Sequence, residues 1–327
     1  MSWQQYAKFY LSVCKNNSEY KKLIMNPDHK LTLDGQNWSE KQVNQDIKIY
    51  KDTKDLISLL SDRKLITTRL GCVESAFIVK YLFNIDLRSH LDTKSWDDID
   101  RRMKTNAGFY YKNEKDKKEV IDWWVKNSVE LVRKSTLTSS FNFLKFDIAL
   151  WALLDIKGTF YNYVDITQII LKNSGDKKIL YVGSARKSIE KAFKRGVQNA
   201  WKFNIPNFSL YIQDTPQTTL GCNYPDNSIK ETCEKIVDNI VMRFSDFDTA
   251  IFGCGAYGPP IINMLSKTLP NKNLIYLGSD CYKMFGIFNH AMKIPESKDV
   301  IPENWIEVEE KIDEKFKNID EGRYWKI

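Results

Sequence analysis

Ile251-Phe-Gly-Cys-Gly-Ala-Tyr-Gly-Pro-Pro260 is the stretch that decides the fold. A β-type apolar run, Thr249 to Phe252, leads into it, and a helical pattern, Pro260 to Thr268, leads out. It therefore reads as strand, glycine turn, helix. Gly253, Gly255 and Gly258 keep the G-x-G-x-x-G spacing that lets a backbone approach a phosphate at a helix N-terminus. A dinucleotide-binding domain opens with such a turn and continues through several βα units. Here 69 residues follow Gly258, and they hold one clear strand. The expectation is a turn that cradles a diphosphate without opening an ordinary NAD domain.

Working outward from that turn, strands and helices alternate. Lys64 to Leu70, Lys178 to Gly183, Ser209 to Gln213 and Leu274 to Leu277 read as further strands. Helices are expected over Glu74 to Phe83, Lys118 to Lys134, Lys187 to Arg195 and, behind the capping box Ser228-x-x-Glu231, through Phe244. Alternating elements imply an α/β fold: a Rossmann-like, mostly parallel sheet flanked by helices. The first sixty residues, with Ser39-x-x-Gln42 and apolar residues at Val43, Ile47, Tyr50, Leu56 and Leu60, read as a helical N-terminal part. The division this suggests is a helical segment over 1–62, a Rossmann-like domain over 63–290 and a charged helical tail over 291–327.

Composition narrows the partners. The chain has 327 residues, 43% hydrophobic and 28% charged, with a net charge of +7. Basic and acidic residues are mixed along it, and no nucleic-acid module is visible, so nucleic acid is not an expected partner. No apolar run reaches the length of a membrane span, and the N-terminus lacks the pattern of a signal peptide. A cytoplasmic protein without integral membrane contact is expected. Six cysteines without a C-x-x-C pair read as free thiols. Three scattered histidines argue against a His-based zinc site.

In a parallel sheet the carboxyl ends of the strands share one edge, where ligands bind. Four turns fall there. Arg69-Leu-Gly-Cys-Val-Glu74 puts a carboxylate at a helix start, suited to a metal, a sugar hydroxyl or a proton. The plain alternative is a Glu satisfying the helix dipole beside Arg69. Gly183-Ser-Ala-Arg-Lys-Ser188 offers Ser184, Arg186 and Ser188 to a phosphate, or simple helix capping. In the glycine turn Tyr257 could stack on a base or sugar, or the glycines could serve close helix packing. Gly278-Ser-Asp280 places Asp280 22 residues after Gly258, near the position of a ribose-binding acid.

Together these turns resemble those of bacterial and large-virus glycosyltransferases related to the GT-D fold. Such proteins show an Arg-x-Gly-x-x-Glu turn, matched by Arg69, Gly71 and Glu74. They then show Asn-Ala-Gly-x-Tyr, matched by Asn106 to Tyr110, and Gly-Ala-Tyr-Gly-x-Pro, matched by Gly255 to Pro260. A last segment ends in Phe-Gly-Ile, here Gly278 to Ile287. The match runs in order from about residue 60 to 290. It departs at Cys72, where the GT-D motif carries a metal-binding Asp, and at Ser279-Asp280, where relatives carry glycine.

The resemblance implies sugar transfer from a nucleoside diphosphate sugar, UDP-sugar favoured, to a glycan acceptor of cell-surface or capsule type. It also implies a divalent metal, Mn2+ or Mg2+, at Glu74. Glu74 and Asp280 are the catalytic candidates. Arg69, Gly71, Asn106, Tyr110, Ser184, Arg186, Ser188, Gly253, Gly255, Tyr257, Gly258 and Gly278 are the expected substrate-binding set. Two other readings stand beside it: a non-catalytic nucleotide-sugar binder, and an NAD(P)-dependent or methyltransferase-type Rossmann enzyme.

Overall fold

The five strands at the centre of the computed structural model lie where β-type apolar runs end in glycine or a polar turn. They are β1 (Ile66–Thr68), β2 (Lys178–Gly183), β3 (Ser209–Asp214), β4 (Thr249–Gly253) and β5 (Asn273–Tyr276). All pair in parallel, in the order β1-β5-β4-β2-β3. The structure describes residues 53–63, 65–83, 99–138, 163–219, 223–289, 294–295 and 297–310, with short segments at 31–33, 36–38, 48–49 and 159–160. Strands β4 and β5 and most of β2 are buried along their length, as continuous apolar runs covered on both faces should be. Strand β3 is half-exposed and lies at the end of this order.

The helices are α1 (Thr53–Ser61), α2 (Cys72–Phe83), α3 (Lys117–Lys134), α4 (Tyr163–Lys172), α5 (Arg186–Arg195), α6 (Ile229–Phe244) and α7 (Gly258–Thr268). Helix α6 starts as its sequence dictates, with the Ser228 hydroxyl accepting the Glu231 N–H and the Glu231 carboxylate reaching back to the Asn227 N–H. Connections between parallel strands are right-handed. The step β2-α5-β3 moves one way along the sheet, and β3-α6-β4 and β4-α7-β5 move the other. Helix α5 therefore covers one face, and α6 and α7, packed on each other and on α3, cover the opposite face.

By contacts the chain forms two units. One holds residues 1–51, 69–103 and 137–161; the other holds 52–68, 104–136 and 162–327, and contains the five-stranded sheet. In the first unit, α2 buries Ala76, Phe77, Ile78 and Val79, and Lys80 pairs with Asp100 at 2.8 Å.

Two regions depart from the helical expectation. Leu31–Leu33 and Gln36–Trp38 form an antiparallel pair, and Lys48–Ile49 pairs in parallel with Thr159–Phe160. Asp34-Gly35, the residues between the first two, are a two-residue hairpin signal that outweighs the weak helical periodicity around them. Of the first sixty residues, α1 is the helical stretch among those described; the Ser39-x-x-Gln42 box lies outside them. The described part of the tail is not a continuous helix either. A single turn, Pro302–Asn304, precedes β7 (Ile306–Glu307), which pairs in parallel with β6 (Ile287–Phe288). Apolar Trp305, Ile306 and Val308 are buried there, and burying them requires the extended chain to lie back on the domain.

Candidate functional site

Gly183 and Gly253 end β2 and β4 and are opposite each other in register. Chain order reverses direction between these two strands, because β3 lies outside β2 on one side and β4 and β5 continue on the other. That reversal is the topological switch point, and the crevice beyond it is where open α/β sheets take ligands. A Cβ on Gly183 would meet the Tyr181 hydroxyl and lie 2.9 Å from the Gly253 carbonyl. A Cβ on Gly253 would lie 2.9 Å from the Gly278 carbonyl and strike the Cys281 Sγ. Gly183 and Gly253 thus let these strand ends pack closely, with the Tyr181 hydroxyl and the Cys281 Sγ in the space that their side chains would need. Asp214, the last residue of β3, is in register with Gly183 on the other side.

The glycine turn itself is closed by its own chain. Gly255 has φ +53°, and a Cβ there would lie 2.7 Å from the Ala107 carbonyl. That carbonyl accepts the Ala256 N–H at 2.8 Å, the Tyr257 N–H goes to Cys254 O and the Gly258 N–H to Gly255 O. Pro259 and Pro260 follow and have no N–H. Every backbone donor from Ala256 to Pro260 is therefore used or missing. The start of α7 cannot cradle a phosphate as the G-x-G-x-x-G spacing suggests, since that role needs unpaired N–H groups at the helix start. Gly258 is required for another reason: a Cβ there would lie 2.9 Å from the Tyr276 ring. The glycines of this turn serve close packing.

Tyr257 does not stand ready to stack on a base. It is buried, and its hydroxyl shares a 2.8 Å hydrogen bond with Thr218, whose own hydroxyl donates to Gly108 O. Desolvation pushes its phenol well above the ordinary range. Tyr110 is likewise fully buried, hydrogen-bonded to Thr232 and stacked on Tyr224 with ring centroids 4.2 Å apart and planes 7° apart. Burial raises its pKa to about 12. The Asn106-to-Tyr110 segment is thus the wall that closes the glycine turn, through Ala107 O and Gly108 O. Asn106, half-buried, accepts a hydrogen bond from the Thr105 hydroxyl.

The start of α5 behaves differently. Ala185 at the cap position supplies no side-chain acceptor. Ser188 is fully buried, and its N–H donates to one carboxylate oxygen of Glu310 at 3.0 Å while its hydroxyl donates to the other. An anion is therefore seated on the first turn of α5, as the helix dipole favours. Ser184 is half-buried at the same edge; Arg186 is exposed and paired with Glu190 at 2.8 Å. Asp214 belongs to this cluster. Loss of hydration raises its pKa, Arg186 opposes the shift, and the neighbouring Glu310 and Glu190 charges add to it. Sequence reading passed over Asp214 and Glu310. The first was legible as an acid ending a strand; the second lies 122 residues from its partner and carries no local signal.

The two catalytic candidates fall in different units of the chain. Asp280 is buried and forms an ion pair with Lys283, one helical turn on. Glu74, Arg69 and Gly71 belong to the other unit. Glu74 is buried in the first turn of α2, and a Cβ on Gly71 would strike its carboxylate. Gly71 thus makes room for Glu74 to fold back on the helix start, the dipole-satisfying arrangement. Cys72 stands where the metal motif has Asp, which leaves Glu74 as the carboxylate of that turn, and among the described residues no group of three or more His, Cys, Asp or Glu could hold a metal ion. Cys233, Cys254 and Cys281 are buried free thiols.

A cavity of about 260 Å³ lies between Ala192, Arg195 and Gly196 on one side and Phe285, Gly286 and Ile306 on the other. It adjoins the C-terminus of α5, about 10 Å along the helix from Ser188.

No protein-family model matches this chain, and no curated protein or solved structure is significantly similar to it. No described helix is long and apolar enough to cross a membrane.

Proposed function

We propose that this protein binds a nucleoside diphosphate sugar in the switch-point crevice and transfers the sugar to a glycan acceptor. One observation carries the reading. The first turn of α5 holds an anion on Ser188, beside the in-register glycines that end β2 and β4. A diphosphate needs such donors, because negative charge builds on it as the glycosidic bond breaks. The Ser188 N–H and hydroxyl supply two, and Arg186, released from Glu190, supplies a cation. Asp214, exposed at the end of β3 and in register with Gly183, is the candidate to accept a proton from an acceptor hydroxyl. No step passes through a metal.

UDP-, GDP- and dTDP-sugars, NAD(H) and S-adenosylmethionine should be compared by thermal shift and calorimetry. A nucleotide sugar is expected to stabilise the protein, and Ser188→Ala, which keeps the backbone N–H and loses the hydroxyl, to weaken it by about tenfold, the worth of one hydrogen bond to a charged group. Stabilisation by NAD(H) or S-adenosylmethionine alone overturns the reading. A second reading, a binder without catalysis, is favoured by the ion-paired Asp280. Tight binding with neither transfer nor hydrolysis of the donor would select it.

A further inference from the structure

The anion on Ser188 belongs to the protein itself. Glu310 reaches it from the C-terminal segment, and two further contacts, both from Glu309, bind the same short stretch to α5. The Glu309 N–H donates to the Ser188 hydroxyl at 2.8 Å, the Glu309 carboxylate pairs with Lys191 one turn along, and the Ser188 hydroxyl, having accepted from Glu309, donates to Glu310. Ser188 is thereby saturated. Upstream, the segment is anchored apolarly: Val308 is buried and donates to Phe288 O at 2.9 Å, and Trp305 Nε1 donates to Ala200 O at 3.1 Å. Beyond Val308 the described chain is held by polar contacts of two glutamates, Glu309 exposed and Glu310 half-buried.

Other acidic groups lie near this seat. Glu310 brings a carboxylate to a corner that already holds Asp214 and Glu190, and both Glu310 and Glu190 raise the Asp214 pKa; Arg186 is the cation that opposes them. A carboxylate and a phosphate oxygen pair use the same donors in the same geometry. A phosphate adds a third acceptor oxygen and arrives with a molecule that fills the crevice, which a tethered Glu cannot do.

We propose that Glu309 and Glu310 form an intramolecular latch. Glu310 stands in for a ligand phosphate on Ser188, and an incoming pyrophosphate group must displace it, releasing Glu309 and Glu310 from α5. This rests on the reading of α5 as the diphosphate site. If the latch is shut in about nine molecules of ten, the apparent affinity for phosphate is reduced about tenfold.

The test uses inorganic pyrophosphate and UDP as probes on the full chain and on Glu310→Gln and Glu310→Ala, by calorimetry at fixed ionic strength. Both variants are expected to bind about tenfold more tightly than the unaltered chain. Hydrogen exchange of the backbone over 306–310 should speed up when pyrophosphate is added to the unaltered chain. Equal or weaker binding by the folded variants, with unchanged exchange, overturns the latch but leaves the diphosphate reading standing. Absence of binding to all three chains overturns both. A variant that fails to fold is separated by its circular dichroism, and the exchange readout on the unaltered chain then decides.

Discussion

Gly255 carries the most constrained backbone in the glycine turn. Its φ of +53° disfavours any residue with a Cβ, and the Ala107 carbonyl lies 2.7 Å from where that atom would go. Gly255→Ala should therefore cost about 2–3 kcal/mol, combining left-handed strain with overpacking against backbone that cannot move aside. Urea denaturation measures it; a cost below about 0.5 kcal/mol would show that the turn relaxes freely. Gly183 and Gly253, without positive φ, are glycine for packing alone, against the Tyr181 hydroxyl and the Cys281 Sγ. At this scale the sequence was partly misleading. The three glycines matched a phosphate signature, yet Pro259-Pro260, equally visible, already removed the donors that the signature needs.

Helices α3 and α7 are joined by a buried polar network rather than by apolar contact alone. Asn263, fully buried, donates to Asn127 at 2.8 Å and to Glu130 at 3.0 Å, and Lys267 donates to Glu130 at 2.7 Å. The hydrogen bond from Lys267, then that from Asn263, hold the Glu130 pKa down at about 2, against an ordinary 4.5. A depressed carboxylate stabilises the fold above its unfolded pKa and loses that contribution as pH falls towards the folded one. Glu130→Gln should thus unfold more readily than the unaltered chain at pH 7, with the gap closing between pH 4.5 and about 2. Thermal melts across that range check it; a gap independent of pH would refute the assignment. Trp124 of α3 also donates to Ala256 O at 2.7 Å, so this helix pair positions the glycine turn. Helix limits were legible from apolar period and capping, because those signals are local. The Asn127–Asn263 pairing was not, because an Asn on a helix face looks the same whether it meets water or another Asn.

Across the whole molecule, β1 reaches its place beside β5 through contacts between residues more than two hundred positions apart. Asn273 is the tie: it accepts the Leu65 N–H at 3.1 Å and donates to Leu60 O at 2.8 Å and to the Thr249 hydroxyl at 3.3 Å. Asn273→Ala would leave the Leu65 N–H without a partner, while Leu60 O keeps the Arg63 N–H, at a cost of about 1–3 kcal/mol in urea. A loss under about 1 kcal/mol would mean that strand pairing alone holds β1. The sequence by itself determined the five central strands and the helices between them, and that these strands run parallel, though not the short strands of the N-terminal part and the tail. These follow from periodicity, capping and the connection length that parallel strands require, all local properties of the chain. Only the tertiary structure decided the strand order that puts Gly183 opposite Gly253, the closure of the glycine turn by Ala107, and the seating of Glu310 on Ser188. Each depends on two distant segments meeting, and a hydrogen-bond donor shows nothing in sequence of which acceptor will reach it first.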